Sequence, residues 1–273
     1  MRRRTYLCGE VIPLIEAVRQ GLNLCARSVV PALFPYMVMV NFLVFSGVFR
    51  AVPCAVQAFA LGALGGYPMG AKAVGSLCQV GQFSPEEAAR LAPVCNNCSP
   101  AFCIFLVGQT VFRSTLAGIV LYASQLLSAL VLWAVSRPKV SSQGLRSPRQ
   151  TPPLSAVFVE SVQHSALNTL YLCGFVVLFQ VVLFLLSRSV HLTQPFLIGL
   201  IELTNGVVLL DGAHRVSFVA AAFLVSFGGL CTAAQTMAVL GEAGVPCKGY
   251  LLKRLLVAAL SAVLAGLACE WVM

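Results

Sequence analysis

Charged residues are scarce in this sequence. Asp, Glu, Lys and Arg make up only 10% of its 273 residues, whereas soluble domains carry about 25%. Hydrophobic residues account for 59%, and the mean hydropathy is +0.89. This composition excludes an ordinary soluble domain. It predicts an all-α integral membrane protein with about 7–9 helices, some of them broken or re-entrant, because an apolar helix of about 20 residues spans a bilayer.

Acidic residues are scarcer still. There are 9 Asp and Glu residues against 18 Lys and Arg, so the net charge is +9. The basic residues gather at the N-terminus and between apolar stretches, where they orient a membrane protein and meet anionic lipid. They are not interleaved with aromatic residues, so we expect no nucleic-acid binding. The expected partners are membrane lipid and a small-molecule solute, and a homo-oligomer or a partner membrane protein stays open.

Catalytic and metal-binding constellations are also lacking. No nucleophile–base pair, phosphate-binding loop or metal-ligand spacing is evident, so we expect no enzyme and no bound metal or cofactor. The 11 cysteines are scattered and include one close pair, Cys95 and Cys98. Because His164, His191 and His214 lie far from that pair, metal or redox chemistry there is the weaker alternative.

The sequence divides into four parts. Residues 1–27 are a basic N-terminus and an amphipathic interfacial helix, in which Glu10 and Glu16 argue against a secretory signal peptide. Residues 28–136 form a first membrane repeat, and residues 156–273 form a second one. Between them, residues 137–155 are a basic polar linker with several prolines and no acidic residue, a composition typical of a flexible connection.

Helix-breaking residues interrupt the apolar run of about residues 51–80. Its centre contains Gly65, Gly66 and Pro68, with Lys72 one turn further on. Glycine and proline break a helix and free its backbone groups, and an ionisable residue at membrane depth is a functional candidate. The alternative is a kinked structural span in which Lys72 snorkels to the interface.

Two more apolar segments contain polar joints. Ser84 and Glu87 form a capping box that starts a helix, which meets the polar stretch 96–100 and then resumes. We interpret residues 84–112 as a broken or re-entrant helix, with a loop between two ordinary spans as the alternative. A second joint, residues 202–206, interrupts the segment 195–210.

A shift of the sequence by 163 residues suggests two repeated halves. It places Gly65-Gly66 on Gly228-Gly229 and Lys72 on Gln235. Paired segments interrupted by glycine indicate a transporter site at the interface of two repeats, whereas chance similarity between apolar sequences is the alternative. If residues 84–112 re-enter instead of spanning, the repeat is inverted, and the sequence leaves this open.

The polar residues at membrane depth predict a binding site for a small polar solute. Half-helix N-termini carry a partial positive charge, Lys72 adds a full one, and amides and hydroxyls supply directional hydrogen bonds. Three roles stay open for Glu202: a structural pair with Lys72, a coupling-cation site or a proton carrier. The candidate substrate-binding residues are Gly65, Gly66, Lys72, Asn96, Asn97, Ser99, Glu202, Thr204, Asn205, Gly228, Gly229, Thr232 and Gln235.

Four motifs, in the same order, resemble those of a known family. They are Gly66-Tyr67-Pro68-Met69-Gly70-Ala71-Lys72, Asn96-Asn97-x-Ser-Pro, the stretch 199–206 and Ser226-Phe-Gly-Gly229 with Gln235. The sequence is similar to the sporulation integral membrane protein family, called YlbJ or SpoVV. That family is grouped with the nucleoside recognition or Gate domain proteins. The similarity covers most of residues 24–267.

The resemblance implies a multi-pass protein of endospore-forming bacteria that moves dipicolinic acid across the outer forespore membrane. Dipicolinate is a planar dianion, which agrees with a site built from Lys72 and half-helix ends. The alternatives are a non-transporting membrane scaffold needed for spore maturation and a nucleoside or ion permease with a Gate-type fold. A compact middle linker and Cys98 depart from the family pattern and leave a divergent substrate open.

Overall fold

The computed structural model describes residues 2–46, 52–79, 81–136, 153–189 and 194–272. Within these ranges every element is helical and there is no strand, which confirms the all-α class. The described residues form more helices than the sequence predicted because several predicted segments are split by breaks. The α-helices, numbered α1 to α12, are Arg2–Leu24, Val30–Phe45, Cys54–Gly65, Met69–Gln79, Pro85–Cys95, Thr115–Ser136, Leu154–Ser189, Pro195–Ile201, Leu203–Val208, Arg215–Phe227, Gly229–Glu242 and Tyr250–Ala268.

Three short elements connect or extend these helices. The π-helical turn Cys25–Val29 joins α1 to α2 without a break, and a longer π-helix, Phe102–Val111, follows α5 after four non-helical residues. A 3-10 turn, Cys269–Trp271, ends α12. Because α1 runs directly into α2, no loop separates the predicted interfacial helix from the first membrane repeat. The four-part division of the chain itself stays a prediction, since most of the linker lies outside the described residues.

Four helical stretches of the described residues are long and apolar enough to cross a bilayer. They are Thr115–Ser136, Leu154–Ser187, Arg215–Glu242 and Tyr250–Trp271. Leucine and valine side chains project outward from the last of these, including Leu252, Leu256 and Val263, and such side chains suit contact with lipid tails. The protein is an integral membrane protein.

The predicted capping box starts α5. The Ser84 hydroxyl accepts a hydrogen bond from the backbone N–H of Glu87 (3.2 Å), and the Glu87 carboxylate accepts one from the N–H of Ser84 (2.8 Å). The helix then stops at Cys95, and helical structure resumes at Pro100, as the polar stretch between them predicts. Within the described residues, α5 and the π-helix Phe102–Val111 do not pack side by side, so this segment is a broken helix and not a hairpin.

The first fold-back of the chain lies instead at residues 54–79, here called hairpin 1. Helices α3 and α4 meet at Gly62 and Gly70: a Cβ on Gly62 would lie 2.9 Å from the Cα of Gly70. The same Cβ would lie 1.5 Å from the carbonyl oxygen of Cys95, and one on Gly70 would lie 2.0 Å from it. Small residues let backbones approach this closely. Hairpin 1 therefore packs directly on the point where α5 breaks.

A second fold-back, residues 195–208 or hairpin 2, repeats this arrangement. A Cβ on Gly206 of α9 would lie 2.1 Å from the Cα of Gly199 in α8. Gly228 has a φ of 87° and separates α10 from α11, and a Cβ on the next residue, Gly229, would lie 3.0 Å from the carbonyl oxygen of Gly199. Hairpin 2 thus packs on the break of α10–α11.

The order of elements repeats along the chain. A long helix, a hairpin, a broken helix and an unbroken helix occur first as α1–α2, hairpin 1, α5 with the π-helix, and α6. They occur again as α7, hairpin 2, α10–α11 and α12. This order pairs hairpin 1 with hairpin 2, whereas the 163-residue shift pairs hairpin 1 with α10–α11. The 163-residue shift therefore does not align equivalent elements of the two halves. It matches two Gly-Gly pairs, which occur at helix breaks of either kind.

The glycine contact between hairpin 1 and α5 can be tested by adding one methyl group. We expect Gly62→Ala to destabilise the protein by about 2 kcal/mol or more, because the added methyl group would overlap the Cys95 carbonyl and only a shift of the backbone relieves this clash. Gly174→Ala is the matched control: nothing lies within 4 Å of the added Cβ, and alanine favours the helix. The measurement is the melting temperature in detergent. Equal values for both variants would contradict the packing described here.

Candidate functional site

Arg254 is the largest fully buried side chain of the described residues. It lies in the second turn of α12, on the same helix face as the buried residues Tyr250, Ser261 and Ala265. One guanidinium nitrogen, Nη1, donates to the carbonyl of Pro93 at 2.9 Å. The other, Nη2, donates to the carbonyl of Ser226 and to the Tyr67 hydroxyl.

These contacts place one positive charge on the ends of two interrupted helices. Pro93 is in the last turn of α5, and Ser226 is in the last turn of α10. The carbonyls of a final helical turn lack intrahelical partners and carry partial negative charge, so a cation there is favourable. No carboxylate contacts Arg254 within the part of the chain that the structure describes. Helix ends therefore take the place of an acidic partner.

Tyr67 brings the tip of hairpin 1 to the same point. It lies between Gly66, whose φ is 77°, and Pro68, in the break between α3 and α4. Its hydroxyl is 3.1 Å from the carbonyl oxygen of Val225 and 3.0 Å from that of Ser226. The guanidinium carbon of Arg254 lies 5.5 Å from the centre of the tyrosine ring, within cation–π range. Arg254 thus joins both broken helices and hairpin 1.

The break after α5 is closed by side-chain amides. Gln125 of α6 donates to the carbonyl of Cys98 (2.8 Å) and accepts from its N–H (3.1 Å). Asn96 donates to Thr236 Oγ1 (2.8 Å) and to the Tyr250 hydroxyl (2.9 Å). The Gln125 bonds replace backbone partners that the break removes, which is required where water is absent. The Asn96 bonds tie the break to α11 and α12.

A cavity lies beside this junction, between the tips of the two hairpins. About 60 Å³ of it is available to the centres of water molecules, which is room for roughly four to six waters. Seven of the predicted substrate-binding residues line it, from both halves of the chain: Gly65, Gly66, Ser99, Glu202, Thr204, Thr232 and Gln235. The sequence predicted a solute site that includes Lys72, Asn97 and Glu202, and of these three only Glu202 lines the cavity.

The other six predicted residues do not line the cavity. The side-chain amide of Asn96 is bonded to Thr236 and Tyr250. The side chain of Asn97 lies outside the cavity and donates to the carbonyl of Val94 (2.8 Å). Asn205 lies behind Glu202, and the two glycines Gly228 and Gly229 shape the break of α10–α11. Lys72 reaches the cavity only through Asn168, a cavity-lining residue of α7 whose Oδ1 accepts from the lysine Nζ at 2.8 Å.

Glu202 forms the tip of hairpin 2 and caps α9. It is 3% exposed, and its carboxylate accepts from the N–H of Thr204 (3.1 Å) and from the N–H and side-chain Nδ2 of Asn205 (2.7 and 2.8 Å). The structural pair of Glu202 with Lys72, one of three roles considered from the sequence, is absent, because Lys72 bonds to Asn168 instead.

The two kinds of helix end are separated in space. The carbonyl ends of α5 and α10 meet Arg254, whereas the cavity is lined by the first turn of α11, through Cys231 and Thr232, and by Ser99 and Phe102 at the start of the resumed helix. Helix N-termini carry partial positive charge and free N–H groups. The cavity therefore combines positive helix ends, hydroxyls and one carboxylate.

Sequence reasoning missed Arg254, Tyr67 and Asn168. In the sequence Arg254 follows Lys248 and Lys253 and so looks like a charge that flanks the last span. The signal that identifies it is periodicity, since it shares a helical spacing with the buried residues Tyr250, Ser261 and Ala265 and does not share one with Lys253. Asn168 lies deep in α7, which begins at Leu154.

Comparison with known proteins identifies one relative clearly. The chain is 26% identical over 308 aligned residues to the sporulation integral membrane protein YlbJ of Bacillus subtilis (strain 168), and the match covers 91% of this chain and 76% of that protein. The chain is thus similar to a member of the YlbJ family along most of its length. No protein-family model and no solved structure matches it. A wider relation of the chain to nucleoside recognition and Gate proteins stays a prediction.

Replacement of the Arg254 guanidinium should destabilise the fold strongly. We expect Arg254→Met to cost about 3–5 kcal/mol, because it leaves the carbonyl of Pro93 and the Tyr67 hydroxyl without the donor they accept from and removes one of the two donors to the carbonyl of Ser226. Lys248→Met removes the same charge from an exposed position before α12 and is expected to have little effect. Thermal unfolding in detergent compares the two. A stable Arg254→Met variant would contradict the role assigned to this side chain.

Proposed function

We propose that this protein is a membrane transporter or channel that moves a small polar solute without altering it chemically. We further propose that the solute is dipicolinate and that the membrane is the outer forespore membrane of a sporulating cell. The observation that carries the proposal is the cavity between the hairpin tips, where both halves of the chain contribute hydroxyl, amide and helix-end groups.

The chemistry of the cavity suits an anionic dicarboxylate. Ser99, Thr204 and Thr232 offer hydroxyl donors, and Gln235 offers an amide. Positive helix ends stabilise carboxylates, and they do so more strongly in a site that excludes water. The aromatic side chains of Tyr67 and Phe102, which also line the cavity, are suited to contact with a flat ring.

Two architectural features support movement of the solute and not only binding. Interrupted helices at membrane depth are tolerated where they are buried in protein or line a water-filled cavity, and here four interruptions surround one cavity. Repeated halves with broken segments are typical of secondary transporters, in which the site lies at the interface of the repeats. The similarity to a sporulation integral membrane protein of Bacillus subtilis supports the choice of a sporulation-related solute.

Uptake of labelled dipicolinate into vesicles containing the purified protein tests the proposal directly. We expect wild type to accumulate the solute, and Lys72→Ala to lower uptake at subsaturating concentration about tenfold, because the half-buried ammonium supports the cavity wall through Asn168. Lys248→Ala, at an exposed position, is the matched control and should transport normally.

The other outcomes of this assay favour the rival functions. If folded wild-type protein in vesicles moves no dipicolinate, the non-transporting scaffold is favoured. If it moves nucleosides or metal ions but not dipicolinate, a permease with a different substrate is favoured. Equal uptake by wild type and Lys72→Ala would remove Lys72 from the solute site.

Two native cysteines allow solute binding to be followed without any mutation. Cys98 and Cys231 line the cavity, whereas Cys78 does not. We expect dipicolinate to slow modification of Cys231 by a membrane-permeant maleimide and to leave the rate at Cys78 unchanged, because bound solute blocks access to the cavity. Mass spectrometry of the modified peptides measures both rates. Equal slowing at both cysteines, or none, would contradict binding in the cavity.

A further inference from the structure

Glu202 is a carboxyl group buried in the interior of the protein. Its contacts are the N–H groups of Thr204 and Asn205, the side-chain amide of Asn205 and the Thr204 side chain. Within the described residues no cationic side chain contacts it, since Lys72 bonds to Asn168 and Arg254 bonds to helix ends. A buried membrane carboxylate without a cationic partner is costly unless a proton or a metal ion compensates it.

An open groove lies on the other side of hairpin 2. It runs between α1, α7 and hairpin 2, and about 380 Å³ of it is available to the centres of water molecules. Its polar lining includes Glu16 and Gln20 of α1, Gln180 of α7, and Asn205. The side-chain oxygen of Gln180 is buried and has no hydrogen-bond partner. The groove therefore presents oxygen atoms, the ligand type preferred by hard cations.

Asn205 connects the groove to the cavity. Its side chain lines the groove, and its Nδ2 donates to the Glu202 carboxylate at 2.8 Å. Glu202 in turn lines the enclosed cavity together with the oxygen-bearing residues Thr204 and Thr232. A single side chain thus separates the unpaired carboxylate from an open, oxygen-lined path.

We propose that Glu202 holds a small monovalent cation, either a proton or sodium, which reaches it from the groove past Asn205 and is coupled to solute movement. Coupling to solute movement rests on the proposed transport function, whereas the cation site itself does not. The physical advantage is neutralisation: an anionic solute beside a bare Glu202 carboxylate would be repelled, and a bound cation removes that repulsion.

The titratable groups nearest Glu202 are thiols and phenols. The thiols of Cys25 and Cys231 are close enough to interact with it electrostatically. Tyr36 and Tyr67 line the same cavity, and Glu16 lies across the groove beyond Asn205, where it pairs with Arg19 at 3.3 Å. Since the thiols and phenols supply no positive charge and Arg19 is paired with Glu16, a compensating cation would come from solution.

A hydrophobic carbodiimide tests the cation site on the wild-type protein without any solute. This reagent adds to protonated carboxyl groups in apolar surroundings, and mass spectrometry locates the product. We expect labelling at Glu202 and none at Glu270, a carboxylate exposed on the surface. If the cation is a proton, labelling falls as pH rises from 5 to 8 and is insensitive to sodium. If it is sodium, sodium chloride protects Glu202 and choline chloride does not.

Two results would overturn the inference. One is a Glu202 that stays unlabelled across this pH range in the absence of sodium. The other is labelling that neither pH nor sodium changes. The carbodiimide experiment contains no dipicolinate. It therefore tests whether Glu202 binds a cation even if the protein does not transport dipicolinate.

Coupling is tested by the ratio of dipicolinate uptake with and without an imposed gradient of the identified cation. We expect a ratio well above unity for wild type and a ratio of unity for Glu202→Gln, which keeps an oxygen able to cap α9 but loses the charge. Glu270→Gln is the control and should retain the wild-type ratio. A Glu202→Gln protein that responds to the gradient as wild type does would contradict the coupling role.

Discussion

Interrupted helices leave backbone carbonyls without partners, and inside a membrane no water satisfies them. In this protein two such ends, at Pro93 and Ser226, share one donor, the guanidinium of Arg254. A planar group with several N–H donors can serve two carbonyls and the Tyr67 hydroxyl at once, which an ammonium cannot do with the same geometry. Hairpin 1, both broken helices and α12 therefore depend on this contact for their relative positions.

The position of Arg254 also shapes the chemistry of the cavity. By occupying the carbonyl ends of α5 and α10, it leaves the opposite, positive helix ends to face the cavity at Ser99 and Thr232. Lys72, the basic residue that the sequence singles out, does not line the cavity but bonds to the cavity-lining residue Asn168. An anion in the cavity is thus surrounded mainly by helix ends and hydroxyls, with Glu202 as the one charge that opposes it.

Local features of the fold were predictable from sequence, and contacts between distant segments were not. The capping box at Ser84, the breaks around Gly66 and Glu202 and the all-α class follow from residue chemistry within a few positions. The role of Arg254 depends on partners 161 and 28 residues away, so no local pattern reveals it. The fold-back at residues 54–79 was also missed, because a glycine break does not show whether the chain continues or reverses. An inverted arrangement of the two halves, which the sequence left open, stays a hypothesis.

A structure of the full protein with bound dipicolinate, determined by electron cryo-microscopy, tests the central claim most directly. The account predicts the solute between the hairpin tips, within hydrogen-bond distance of Ser99, Thr232 or Gln235. Arg254 should stay on the carbonyls of Pro93 and Ser226. A guanidinium turned away from the helix ends to bind a solute carboxylate, or solute bound outside this cavity, would contradict it.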